Sequence, residues 1–107
     1  MNDYGVKIDK NGYAPSIMQS DIECCYLCGR SDRKLDRHEP FNGVANRQKS
    51  KELGMWVTLC HHPCHLDNAH KYAQTAFKLK REAQISVMKV YGWDTKRFIM
   101  EFGKNWL

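Results

Sequence analysis

The chain has 107 residues, with 17 Lys and Arg against 12 Asp and Glu and a net charge of +5. That length builds one domain with a modest core, and no apolar run is long enough to cross a membrane. The opening MNDYGVKIDKNG has neither the apolar centre nor the small-residue cleavage site of a secretory leader, which predicts a cytoplasmic protein with reduced thiols.

Residues 1–20 read as a tail or a short hairpin. Asn11-Gly12 sits between short, partly apolar runs and suits a two-residue turn, while Pro15 interrupts the second run. Residues 21–107 read as one unit, without repeats, low-complexity stretches or a linker. Within it CCYLCGRSD is a tight turn, KLDRHEPF a strand, NGVANRQKSKELG a polar loop and MWVTLC a β-rich run, so two strands joined by a basic loop predict a hairpin. Pro63 marks the first turn of a helix, and Asp67-Asn68 reads as a break and fresh N-cap before a long helix from about Ala69 to Tyr91. Ala73, Ala76, Phe77, Ala83, Val87, Val90 and Tyr91 recur at the spacing of one apolar stripe. Gly92 ends that helix, and Asp94 caps a last one, TKRFIMEF, with Phe98, Ile99 and Phe102 turned inward.

The basic excess is concentrated. Arg30, Arg33, Lys34, Arg37, Arg47, Lys49 and Lys51 face only Asp32, Asp36 and Glu39, so this segment alone carries +4. A local basic surface on a small domain points to a polyanionic partner, most often nucleic acid.

Clustered Cys and His in a reducing setting read as metal ligands rather than disulfides. Cys25 and Cys28 have the C-x-x-C spacing that aims two thiolates at one tetrahedral ion, and Cys60 with Cys64 supplies a second pair. Together they predict a closed four-thiolate zinc site, structural in role and worth on the order of 10 kcal/mol to folding. The second pair is C-x3-C, which leaves open that His61, His62 or His65 replaces Cys64, and that Cys24 competes with Cys25.

The order CYLCGR, DRHEPFNGVANRQKS, GMWVTLC, CH and FGKNWL resembles the HNH family of ββα-metal endonucleases, and more narrowly the small HNH-like proteins of phages and prophages. The resemblance covers about Cys24 to Leu107. It implies an α+β fold, a small zinc-stapled ββα-metal core with a β-hairpin, a metal-site helix and C-terminal helices. It further implies metal-dependent hydrolysis of DNA phosphodiesters with low sequence specificity. On that likeness His38 falls at the general base and His65 at the helix ligand of a catalytic divalent ion, Mg²⁺, Mn²⁺ or Ni²⁺, with a carboxylate from Asp36 or Glu39. The alternative makes His38 the ligand and Glu39 the proton acceptor; the imidazole, which titrates near neutrality, is the preferred base.

The chain departs from the family in two places. Arg37 stands where the family has a ligand before the base, and Gly54, Met55 and Trp56 stand where its middle Asn is expected, with Asn46 too far upstream to serve. His70 is a second candidate ligand, but on a continuous α-helix it points about 140° away from His65, so the two meet only if the helix breaks between them. His61 and His62 precede the helix and read as solvent or phosphate contacts. Arg37, Arg47, Lys49 and Lys51 are the candidate phosphate contacts, and duplex DNA is the expected partner. A homodimer or a phage-encoded protein partner is compatible with this reading. Its rivals are a catalytically inactive zinc-stapled nucleic-acid-binding module and a protein-interaction module.

Overall fold

The strand read in KLDRHEPF spans β1 (Leu35–His38), and it pairs antiparallel with β2 (Val57–Cys60) in the computed structural model, which describes residues 1–107. The register sets Leu35 opposite Cys60 and His38 opposite Val57. Strand β2 is buried along its whole length, so Val57, Leu59 and Cys60 anchor the sheet in the core. Side chains alternate along β1, which puts Asp36 and His38 on one face and Arg37 on the other.

The polar stretch between the strands is not a loop. It forms the ten-residue helix α1 (Val44–Leu53), bounded by Gly43 at its start and Gly54 at its end. Gly54 takes the left-handed conformation (φ 83°), and its N–H closes on the carbonyls of Lys51 and Ser50. A Cβ at Gly54 would lie 2.1 Å from the Pro15 carbonyl oxygen, so the position tolerates only glycine. The helix escapes a pattern-based reading because only Ser50 and Leu53 are buried along it.

After β2 the chain winds into a wide π-helical segment, His61–Ala69, in which His62 is still extended (φ −129°, ψ 138°). The break that follows falls at Tyr72 (φ −104°, ψ 115°), not at Asp67-Asn68 as the sequence predicts. From there α2 (Ala73–Tyr91) and α3 (Thr95–Phe102) run as expected, with Gly92 ending the first and Asp94 accepting a hydrogen bond from the Arg97 N–H at the start of the second. The buried face of α2 is Leu79, Ala83, Gln84 and Val87, while Ala73, Phe77 and Val90, placed in the predicted stripe, are exposed, as is Ile99, expected to turn inward on α3, where only Phe98 and Phe102 are buried.

Two apolar clusters result. One gathers Phe41, Leu53, Met55, Val87, Phe98 and Phe102 between α1, α2 and α3. The other gathers Val57, Leu59, Leu79 and three cysteines under the sheet. Buried Gln84 fastens the chain end: its Nε2 donates to Asn105 Oδ1 at 2.8 Å and its Oε1 accepts from the Trp106 N–H at 2.8 Å.

The first twenty residues contain no strand. The Asn11-Gly12 turn closes through Asp9 N–H to Tyr13 O at 2.9 Å, and the segment then straps onto the core. Ala14 N–H donates to Lys51 O, Ile17 N–H to Gly54 O, and the Trp56 indole N–H to Ala14 O, each within 2.9 Å. No helix is long and apolar enough to cross a membrane.

Candidate metal centres

Cys25 and Cys28 sit in the turn before β1, Cys60 ends β2, and Cys64 lies within the π-helical segment. All four Sγ atoms lie within 4.8 Å of one another, and Cys28 Sγ is 3.9 Å from Cys60 Sγ. Four thiolates about 2.3 Å from a central zinc have sulfur–sulfur edges of about 3.8 Å, so the cluster fits a tetrahedral ion such as zinc. Burial opposes ionisation of Cys25, but backbone hydrogen bonds from Cys28, Cys60 and Leu27 outweigh it and bring the thiol down to about 7. Cys64 is the fourth member of the set, and Cys24 turns away, its Sγ 3.5 Å from Asp21 O.

A second cluster stands on the other side of Cys64. His38, His65 and His70 bring their ring nitrogens within 4.8 Å of one another, and the Nε2 atoms of His65 and His70 are 3.0 Å apart. Two imidazoles bound at right angles to one ion at about 2.1 Å would be separated by about 3.0 Å. The local winding makes this meeting possible. In a π turn residues five apart stand roughly one turn from each other, whereas α geometry turns them away. The structure therefore joins His65 and His70 without the break at Asp67-Asn68.

Asp36 lies behind this cluster. Its Oδ2 accepts from His65 Nδ1 at 2.8 Å and from His61 Nδ1 at 2.6 Å, which leaves His65 Nε2 facing His70. A carboxylate in this position fixes the tautomer and orientation of a ligating histidine. The carboxyl of Asp36, although desolvated, is held below its ordinary range by the two histidine hydrogen bonds. His38 is 8 % exposed, and burial, followed by the fields of His65, His70, Lys80 and Arg47, depresses it to about 3. It is a neutral imidazole at neutral pH, with a lone pair that suits an ion, and burial removes the near-neutral titration for which the sequence favours it as the base.

The three imidazoles open into a polar cavity of about 330 Å³, lined also by Glu39, Asn42, Gly43 and Arg47. No family model, curated protein or solved structure matches the chain.

The four predicted phosphate contacts separate in this setting. Arg47 lines the cavity beside the histidines. Arg37 reaches its rim but is held on the opposite face of β1, 3.3 Å from Asp9 Oδ2 and stacked over Tyr13 and Trp56. Lys49 donates to Glu101 O at 2.6 Å and ties α1 to α3, while Lys51 lies 5.1 Å from the Tyr13 ring centre. Glu39 lines the cavity, with Oε1 3.4 Å from the Tyr13 hydroxyl. Gly54, Met55 and Trp56, at the family's Asn position, are a turn and two core residues outside the cavity. The partnership of Asp36 with His61 had no local signal, since it depends on the pairing of β1 with β2.

Proposed function

We propose that the chain is a metal-dependent endonuclease of the HNH, ββα-metal kind, acting on DNA phosphodiesters. The observation that carries this reading is the convergence of His38, His65 and His70 on one polar cavity beside Arg47, with Asp36 locking His65 from behind. His65 and His70 are the residues that would hold the ion, and His38, lining the same cavity as a neutral imidazole, would accept the proton from water. A divalent ion there supplies Lewis-acid neutralisation of the charge that grows on the phosphoryl and leaving oxygens. Arg47 holds the phosphate without reading sequence. The four-thiolate cluster keeps β2 and the π-helical segment together and takes no part in chemistry.

One specific observation keeps a second assignment in view: His38 lies within ligand distance of the other two imidazoles, and Glu39 lines the same cavity. In that assignment His38 completes a three-imidazole set and Glu39 accepts the proton. Imidazole donors suit Mn²⁺, Ni²⁺ or Zn²⁺ better than Mg²⁺.

The test is nicking of supercoiled plasmid by zinc-loaded protein, with EDTA and with each added ion, beside His38→Ala and Glu39→Gln. The nuclease reading expects metal-dependent nicking that falls about 10²–10⁴-fold on loss of the base, with folding and zinc content unchanged. Loss of bound metal in His38→Ala, with the activity defect confined to kcat in Glu39→Gln, selects the second assignment. Plasmid binding without nicking under any ion overturns catalysis and leaves a nucleic-acid-binding module.

A further inference from the structure

The FGKNWL end of the chain lies outside the imidazole cavity, and one face of α2 sets its place. Phe77, Lys80 and Gln84 stand at i, i+3 and i+7 on that helix, so they line a single face. Gln84 is fully buried and spends both ends of its amide on the Asn105 side chain and the Trp106 N–H. Trp106 is thereby laid along the same face, its ring centre 5.8 Å from that of Phe77. On its other side it packs 6.3 Å from the ring of Phe41, which lines the imidazole cavity, so the tail continues the cavity wall.

That placement gathers like charges. Lys80 Nζ lies 5.2 Å from the Trp106 ring centre and Lys104 Nζ 4.3 Å from it, so the two ammonium groups are no farther apart than a Debye length, about 10 Å at 0.1 M salt. Lys49, Lys71 and Lys78 are paired with carboxylates, whereas Lys80 and Lys104 have none and repel each other. Desolvation, and then the charge of Lys104, hold Lys80 below the ordinary lysine range. The field of Lys80 reaches His38, which sets the pair on the cavity's side of the molecule. Two such charges are relieved by anions placed beside them. Next to them Phe77 is 46 % exposed and offers an open aromatic ring. Cations interleaved with an open ring suit one strand of nucleic acid, its phosphates on the cations and a base on the ring, and only a base outside a duplex has a free face to stack. Resting on the nuclease reading, we propose that Lys80, Lys104 and Phe77 form a landing site for an unpaired nucleic-acid strand beside the imidazole cavity. Phosphates of the strand lie on the two ammonium groups and a base lies on Phe77, while Trp106 spaces the two cations and Gln84 holds Trp106 in place.

The experiment is a fluorescence-anisotropy titration of zinc-loaded full-length protein with a labelled oligothymidylate, over a range of salt concentrations and without added divalent ion. A hairpin duplex of the same length and a polyglutamate of the same charge are titrated beside it. The single strand is expected to bind tighter than either. Lys80→Gln and Lys104→Gln should each weaken it and flatten the log–log salt slope by about 0.7, the single-strand value for one phosphate contact. Phe77→Leu should weaken it about fivefold or more at an unchanged slope. Lys89→Gln, on the opposite side of α2, should bind like the parent. Parental slopes in both lysine variants, or equal or tighter binding of the duplex or of polyglutamate, overturn the proposal. So does a lowered melting temperature in these variants with parental binding, which would make the three residues structural. Nicking of plasmid with parental slopes sinks the landing site and spares the nuclease; strand binding that needs Lys80, Lys104 and Phe77, without nicking, does the reverse.

Discussion

Asp36 illustrates how much of this cluster depends on a residue that does not line its cavity. Its carboxylate orients His65 through Nδ1 and engages His61 with the same oxygen. Replacing it by Asn should reduce affinity for Mn²⁺ or Ni²⁺ by about 10–100-fold, read by calorimetric titration of zinc-loaded protein, while the zinc content stays at the parent value. C-x-x-C spacing singled out Cys25 and Cys28 and the family likeness singled out His38, and the structure brings these residues into its two clusters. Asp36 was also named, as one of two carboxylates beside His38 that the family likeness offers to the ion. That it turns instead to Nδ1 of His65 depends on where the next segment docks, which no local pattern encodes.

The helices show where pattern reading succeeds and where it stops. The helix α3 was legible from Asp94, its apolar residues and Gly103, since each acts locally. By contrast α1 holds itself with one large buried side chain, Leu53, and its ends are set by glycines that also suit a loop. The π-helical segment was beyond any argument at 3.6 residues per turn, and the meeting of His65 with His70 was lost with it. Glycine at the end of α1 has a further consequence. Gly54→Ala should cost about 3 kcal/mol in urea unfolding, because the new methyl meets the Pro15 carbonyl in a conformation already strained for alanine. Gly92→Ala, equally left-handed but with nothing within 4 Å, should cost only about 1 kcal/mol.

Across the molecule, the class of fold and the thiolate set were legible, whereas the strap formed by the first twenty residues was not. Its fastenings are backbone groups and short polar side chains that meet partners some forty or fifty positions away, such as Asn2 Nδ2 on Glu52 O at 2.7 Å and Ser16 Oγ on Trp56 O at 2.6 Å. The second apolar cluster is small and is built partly from cysteines. A four-thiolate zinc site contributes on the order of 10 kcal/mol, comparable with the total stability of a domain this size. Chelation of zinc, or Cys60→Ser, should therefore abolish the cooperative thermal transition followed by circular dichroism, while Cys24→Ser, which lies outside the cluster, should leave it in place.

The two centres share one peptide bond, because Cys64 belongs to the thiolate cluster and His65 to the imidazole cluster. Assembly is thereby ordered in time. Joining the thiolates sets the backbone position of His65, and the Asp36 carboxylate then sets the orientation of its ring. On the proposed nuclease reading, a newly made chain without zinc, or one whose thiols have been oxidised, would lack the assembled imidazole centre, so the staple would double as a safety catch.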